Sequence, residues 1–273
     1  MAIITISREL AALGDETAHE LTDLLHYRFV DKKNLEERMK SLGMAERKII
    51  KYDERKPSFW ASLSQDRDDY LHYLKTALFS EAGQGSCVFM GRGSAALLRG
   101  IPGVLSVFLS APPEIRVERV KSYFHCDDRR ARQIIDQSDR DREGFHQYFF
   151  EMSWKGPENY HLTLNTGLLH PQLCAALVKL TLEKTLTEET ETASALYIKD
   201  LILGQQVVHH ILFDKAIPIH FLEARVKSGA VRLFGVVNSQ ALVEMAVQSA
   251  KEVPAVNSVT AEIQVVQEYS VVP

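Results

Sequence analysis

A short loop near the start of the chain has the position of an anion-binding loop. Residues 3–6 are a β-branched apolar run typical of a buried strand, and Ala18, Leu21 and Leu25 then repeat with the period of a helix. Backbone N–H groups that open a helix after a strand attract phosphate. We therefore interpret one segment as a candidate phosphate-binding loop, made of Ser7, Arg8, Ala11, Ala12, Leu13, Gly14, Asp15, Glu16 and Thr17.

The composition of this segment leaves a second interpretation open. A P-loop signature, GxxxxGK followed by Ser or Thr, needs glycines for close backbone approach, a lysine for the phosphates and a hydroxyl for Mg²⁺. Of its glycines only Gly14 is present. Asp15 and Glu16 also stabilise a helix start without any ligand, by ~0.3–1 kcal/mol each. The segment could equally be a plain helix start.

Two further candidates follow short apolar runs. Arg92 stands between two glycines after the run 87–90, and an arginine at the carboxyl end of a parallel strand lies where open α/β sheets bind ligands. The planar guanidinium group of an arginine can bind two oxygens of a phosphate at once. Asp31 follows the run 27–30 and is placed to hold a substrate hydroxyl. Alternatively, Arg92 is a surface arginine in a glycine-rich turn, and Asp31 is a turn residue at the end of a strand.

Residues 114–152 are predicted to be helical and are densely charged. One interpretation is a lid whose arginines close on a transferring phosphoryl group, because positioning and charge neutralisation supply most of the catalysis of that transfer. The other is a solvated helix with many i,i+4 ion pairs. Together with Arg92, the candidate catalytic residues are Arg129, Arg130, Arg132, Arg140 and Arg142.

Composition argues against several other functions. The chain has 273 residues and a net charge of −4, whereas nucleic-acid binders are usually basic, so we predict no nucleic-acid partner. The three cysteines form no CxxC pair and the ten histidines show no HExxH spacing, so we predict no metal site. No stretch approaches the ~20 apolar residues that span a bilayer, and the first residues lack a leader pattern. We expect a cytoplasmic protein with no integral membrane contact.

Strand and helix patterns alternate from the first residue, which predicts an α/β fold with a parallel, doubly wound sheet. The polar stretch 187–195 is the predicted linker. After it the pattern changes to a helix, two strands, a helix and a strand, which is a small α+β module in the order αββαβ. The predicted domains are therefore residues 1–186 and 196–273.

The order of these segments resembles the cytidylate kinase-like family, a branch of the P-loop nucleoside monophosphate kinases. The matching stretches, within residues 2–185, are ITISRE at 4–9, FVDKK at 29–33, VFMGRG at 88–93, VFLSAP at 107–112 leading to Arg116 and Arg119, DRDR at 139–142, WKGPENY at 154–160 and LNT at 164–166. The resemblance implies a three-layer α/β/α fold of P-loop kinase type, with ATP and Mg²⁺ as cofactors and CMP or dCMP as the acceptor nucleotide.

The same resemblance assigns positions in this chain. It places the phosphate loop at residues 7–17, Asp31 and Arg92 beside the acceptor nucleotide, and the arginines of 129–142 in or beside the lid. Family members usually carry a Gly-Ser-Gly-Gly-like loop followed by a basic residue. This chain has Ala-Ala-Leu-Gly-Asp at 11–15, a degenerate form of that loop.

Residues 196–268 resemble a BON domain, through VRLFGVV at 231–237, Ala246, Ala250 and VPAVNSV at 253–259. BON domains are associated with phospholipid or envelope contact and with ligand sensing, which implies a protein or lipid ligand. The alternative is a spacer or a unit that forms a homodimer.

Two hypotheses of function follow. The first is phosphoryl transfer from ATP to a nucleoside monophosphate. The second is a catalytically inactive, nucleotide-sensing or regulatory protein that acts through its BON-like domain.

Overall fold

The computed structural model describes residues 1–52 and 65–266 of the chain. The chain forms two compact units, Met1–Ser194 and Ala195–Pro273. The strands of the first unit are β1 (Ile3–Arg8), β2 (Arg28–Val30), β3 (Cys87–Met90), β4 (Val104–Ser110) and β5 (Leu162–Asn165). Its helices are α1 (Gly14–Leu25), α2 (Lys32–Ser41), α3 (Glu46–Lys51), α4 (Gln65–Ala82), α5 (Ser94–Leu97), α6 (Pro113–Phe124), α7 (Asp128–Phe150) and α8 (Pro171–Thr185).

The five strands of the first unit form one parallel sheet in the order β2-β3-β1-β4-β5. The central strand β1 is buried on both faces, which is why its sequence is a continuous β-branched run. This arrangement confirms the predicted parallel α/β sheet. Because all strands run the same way, the loops that follow them meet at one edge, where open α/β sheets bind their ligands.

The second unit is built around a sheet of three strands, β6 (His220–Lys227), β7 (Ala230–Val237) and β8 (Ser258–Val265). Strand β6 is antiparallel to β7, and β8 is parallel to β7. The end of α9 (Glu188–His209) and α10 (Gln240–Glu252) pack against this sheet around Val207, Leu233 and Ala246. The element order confirms the predicted αββαβ module.

Residues 187–195, the predicted linker, contain the start of α9. Thr187 caps this helix, since its hydroxyl accepts from the N–H of Thr190 at 3.2 Å and the Thr190 hydroxyl accepts from the N–H of Thr187 at 2.9 Å. Three glutamates in the first turn complement the helix dipole. The polar composition of this stretch is therefore that of a helix N-terminus.

Candidate functional site

The loop between β1 and α1 has a strained backbone. Ala11 and Leu13 have φ angles of 60° and 52°, in the left-handed region that residues with side chains rarely adopt, while Ala12 between them does not. Such a conformation costs on the order of 1–3 kcal/mol per residue and persists only where the surroundings impose it. Alternating backbone conformations of this kind turn successive N–H groups toward a common point and form anion-binding concavities.

The first turn of α1 presents its backbone N–H groups without a side-chain cap. Leu13 is the N-cap residue, and it provides no capping hydrogen bond. The helix opens with Gly14, Asp15 and Glu16, and the N–H of Thr17 donates to the Leu13 carbonyl at 3.1 Å. The N–H groups at a helix start carry a partial positive charge. The exposed carboxylates of Asp15 and Glu16 offset part of that charge.

Two arginines of α6 hold the carbonyl groups of this loop. Arg116 donates from Nε to the Leu10 carbonyl at 2.8 Å, and Arg119 donates to the Ala11 carbonyl at 2.9 Å. Arg119 also donates to the carbonyl of Thr166, directly after β5, at 2.7 Å. Since C=O and N–H point in opposite directions across a trans peptide, the N–H of Ala11 points away from α6. These contacts impose the strained backbone conformation.

A closed network of four charged groups lies at the start of the loop. Arg116 lies 3.1 Å from Glu9 Oε1 and donates to both oxygens of Asp139, at 2.8 and 2.9 Å. Lys155 Nζ donates to Glu9 Oε1 at 2.7 Å and to Asp139 Oδ2 at 2.9 Å. The N–H of Ala111 donates to the second oxygen of Glu9 at 3.2 Å. Each carboxylate contacts both cations, so the four formal charges cancel.

Lys155 is the most accessible member of this network. Its side chain is 45% exposed, whereas that of Arg116 is 5% exposed. Burial by itself lowers the pKa of Lys155, but hydrogen bonds to Glu9 and Asp139 outweigh burial, so the pKa is raised. The ammonium also lies 5.4 Å from the centre of the Trp154 ring. The site therefore contains a charged, partly solvent-exposed lysine.

The sequence placed Glu9 within the loop 7–17 without a role of its own, and it gave no role in the site to Arg116 or Lys155. These residues come from three distant parts of the chain, and only the sheet topology brings them together. A signal was present, however. Glu9 and Lys155 lie inside two of the stretches that carry the family resemblance, and Arg116 follows a third.

The two hydroxyl residues of the predicted loop are bonded within the protein. Thr17 is buried, and its Oγ1 donates to the Leu13 carbonyl at 2.7 Å. Ser7 is buried at the end of β1 and hydrogen-bonds to Tyr160. Burial raises the pKa of Tyr160 to about 12, despite the opposing effect of the Ser7 hydrogen bond. The Tyr160 hydroxyl donates to the Trp154 carbonyl at 2.7 Å and so anchors the segment that carries Lys155.

Asp31 and Arg92 also have partners within the chain. Asp31 caps α2 in a capping box, accepting from the N–H of Asn34 at 3.0 Å. Arg92 is only 2% exposed; its guanidinium donates to Glu36 and to the hydroxyl of Tyr70, the latter at 3.3 Å. The contribution of Asp31 and Arg92 to an acceptor nucleotide stays a prediction.

The candidate lid arginines are spread along α7. Arg132 forms exposed ion pairs with Glu114 and Asp128, as the interpretation of a solvated helix predicts. The side chains of Arg129, Arg130 and Arg140 are also exposed. Arg142 lies with its guanidinium 5.8 Å from the centre of the Trp154 ring, which Lys155 also approaches. From Arg130 to Arg142 the helix rises roughly 18 Å, so the arginines do not converge on one point.

Two negative observations concern residues 1–52 and 65–266. In these ranges, no group of three His, Cys, Asp or Glu side chains is arranged to bind a metal ion. No helix there combines the length and the apolar composition that crossing a bilayer requires.

Two family models match the chain. The model of the cytidylate kinase-like family matches residues 3–168, which contain the strained loop and the charged network. The chain belongs to the cytidylate kinase-like family. The BON domain model matches residues 199–267, within the second unit. This cytidylate kinase-like chain therefore carries a BON domain after its kinase-like unit.

Solved structures are similar to part of the chain. The crystal structure of an uncharacterized protein from Eubacterium ventriosum is 18% identical, with a TM-score of 0.53, and the match covers 67% of this chain and 99% of that chain. A shikimate kinase from Acinetobacter baumannii, solved with shikimate, is 16% identical over 68% of this chain and 96% of its own, with a TM-score of 0.39. Among curated proteins, none matches the chain.

Proposed function

We propose that the first unit binds a nucleotide through its phosphate groups at the loop between β1 and α1. The chain belongs to the cytidylate kinase-like family. We therefore infer that the bound nucleotide takes part in phosphoryl transfer from ATP to a nucleoside monophosphate. The acceptor that the family implies is CMP or dCMP.

The observation that carries the proposal is the strained loop conformation at Ala11 and Leu13. A plain helix start is most stable with Ser, Thr, Asp or Asn as its cap, in extended backbone conformation. Here a leucine occupies the cap in left-handed conformation, and two arginines of α6 hold the loop carbonyls. Strain that the surroundings maintain at one site indicates a functional requirement for that backbone shape.

The residues present fit phosphate groups better than they fit Mg²⁺. The uncapped N–H groups of Gly14, Asp15 and Glu16 are donors for phosphate oxygens. The Thr17 hydroxyl, at the end of the loop, is bonded to the Leu13 carbonyl instead of facing a cation. In family members Mg²⁺ neutralises charge on the donor phosphates, whereas in the described part of this chain no three His, Cys, Asp or Glu side chains are grouped to hold a metal ion without the nucleotide.

A second candidate function is nucleotide binding without phosphoryl transfer, and the charge at the helix start favours it. Residues 9–17 include Glu9, Asp15 and Glu16 but no lysine or arginine. A carboxylate close to the bound phosphates repels them and disfavours the charge that develops during transfer. In this case the BON domain is the element through which the bound nucleotide acts.

Calorimetric titration of the full chain with ATP, CMP and dCMP, each with and without Mg²⁺, tests the proposal. A coupled assay for ADP formation, with ATP, Mg²⁺ and either CMP or dCMP present together, separates the two functions. Saturable binding with ADP formation supports the kinase, and saturable binding without ADP supports the sensor. The absence of any binding at millimolar nucleotide would refute both.

A further inference from the structure

We propose that Lys155 is the phosphate-binding cation of this site and supplies the positive charge that family members usually have in a basic residue at the end of the loop, where this chain has Asp15. The proposal rests on the proposed nucleotide binding of the first unit. It assigns the positive charge to a residue far from the loop in sequence, on the segment between α7 and β5.

The loop needs a cation from elsewhere in the fold. Its residues 9–17 carry three carboxylates and no basic side chain. Arg8, just before them, packs with its aliphatic stem against Gly14, where an added Cβ would lie 2.5 Å from Arg8 Cγ. The basic side chains that contact residues 9–11 in the described part of the chain are those of Arg116, Arg119 and Lys155.

The two arginines are committed to holding the loop. Arg116 is almost fully buried, with hydrogen bonds to the Leu10 carbonyl and to both oxygens of Asp139. Arg119 donates to the carbonyls of Ala11 and Thr166. If either guanidinium turned toward a ligand, it would leave a loop carbonyl without its donor. These arginines therefore act as positioning residues.

Lys155 has the geometry of a cation that can bind a ligand. An ammonium group has three donor hydrogens, and the two hydrogen bonds to Glu9 and Asp139 use two of them. Its side chain is 45% exposed, so a ligand oxygen can reach the third. A nucleotide phosphate that binds Lys155 exchanges one ionic partner for another, and the carboxylates of Glu9 and Asp139 keep their bonds to Arg116. The backbone of the segment stays fixed through the bond from Tyr160 to Trp154.

The test compares ATP and CMP affinity, measured by calorimetry on the full chain, for wild type and three variants. Lys155→Gln removes the charge and is expected to weaken binding of the nucleotide at least tenfold, as for a lost charged hydrogen bond. Lys155→Arg keeps the charge and is expected to bind within about threefold of wild type. Lys179→Gln, which removes a partly exposed lysine paired with Glu183 on α8, is the matched control and is expected to bind like wild type.

The outcomes separate this proposal from the proposed function. If wild type binds and Lys155→Gln binds within threefold of it, Lys155 is not the cation, although nucleotide binding stands. If Lys155→Gln and Lys155→Arg lose equal affinity, the charge is irrelevant and the proposal is wrong. If wild type binds neither nucleotide, both proposals are wrong. A shallower fall of affinity with added KCl in Lys155→Gln than in wild type supports direct charge neutralisation, because salt screens such contacts. If Lys155→Gln fails to fold, the affinity of Lys155→Arg is the test, and it is expected to lie within about threefold of the wild-type affinity.

Discussion

At the scale of single residues, two positions of the loop have an energetic cost, one for phosphate binding and one for folding. Asp15 places a carboxylate at the start of α1, where the family usually has a basic residue. Leu13 adopts a backbone conformation that suits glycine. Each residue has a different cost, since one acts through charge and the other through steric strain. The two costs can therefore be measured separately.

The charge at the helix start is tested by Asp15→Lys. This change replaces a repulsive group with an attractive one at the positive end of α1. It changes two charges, each worth ~0.3–1 kcal/mol at a helix terminus, so we expect it to tighten ATP binding about threefold to thirtyfold. Asp23→Lys makes the same change at an exposed position near the other end of the helix and serves as the control. If calorimetry showed that both variants change the ATP affinity equally, the effect would come from the net charge of the protein and not from the position of the charge at the helix start.

The strain at Leu13 is tested by comparing glycine with alanine. Leu13→Gly is expected to be more stable than Leu13→Ala by about 1 kcal/mol, because only glycine adopts positive φ without steric cost. At Lys179, inside α8, the order should reverse, with glycine less stable than alanine by about 1 kcal/mol. Urea denaturation followed by tryptophan fluorescence measures both pairs. If alanine were as stable as glycine at position 13, the loop backbone would not be strained.

Residue-level prediction from the sequence located the loop but not its partners. The β-branched run of β1 and the period of α1 place the loop correctly, because both signals are local. The contacts of Glu9 with Arg116 and Lys155 span 107 and 146 positions, and no local pattern encodes them. At Arg92 the local pattern is misleading. A glycine-rich turn predicts an accessible side chain, but the side chain of Arg92 is buried against α2 and α4.

At the scale of elements, α6 is the support of the site. It supplies Arg116 and Arg119 to the loop carbonyls, and Arg116 also binds Asp139 of α7. The sequence predicts one charged helical region over residues 114–152. The structure divides that region into α6 and α7, with a turn at His125 in left-handed conformation. One helix positions the loop, and the other contributes Asp139 to the network.

Arg116→Lys tests this support. In Arg116, Nη2 donates to Asp139 while Nε donates to the Leu10 carbonyl. Lysine keeps the charge but has one nitrogen in place of these separated donors, so we expect the free energy of unfolding to fall by about 2 kcal/mol. Arg132→Lys, on the exposed face of α7, is the matched control, and we expect its stability to stay close to that of wild type. Tryptophan fluorescence in urea reports the change, since both tryptophans lie within residues 1–194. Equal stability of the two variants would mean that Arg116 is not a structural support.

At the scale of the whole molecule, the chain joins two units with separate cores. The core of the first unit surrounds the parallel sheet, and that of the second includes Leu233 and Ala246. Both fold classes were predictable from the change in hydrophobic pattern near residue 195. The helical state of residues 188–195 was not predicted, because glutamate and threonine are common both in linkers and in the first turn of a helix.

Separate cores predict that a cavity in one unit leaves the other intact. Leu233 is fully buried in the second unit, so Leu233→Ala should cost that unit about 2–5 kcal/mol. In urea denaturation, we expect circular dichroism to show a transition of the second unit at a lower urea concentration than in wild type. Tryptophan fluorescence, which reports the first unit, should keep its wild-type midpoint. Met245→Ala, at a half-exposed position of α10, is the control. A matching shift in the fluorescence midpoint would show that the two units unfold together.

The most direct test of nucleotide binding at this loop is a titration of the ¹⁵N-labelled chain with ATP, followed by the backbone amide resonances. Our account predicts saturable shifts at residues 11–16, which comprise the end of the loop and the first residues of α1, together with shifts in the segment around Lys155. Unchanged resonances at residues 11–16, with or without shifts elsewhere, would contradict it.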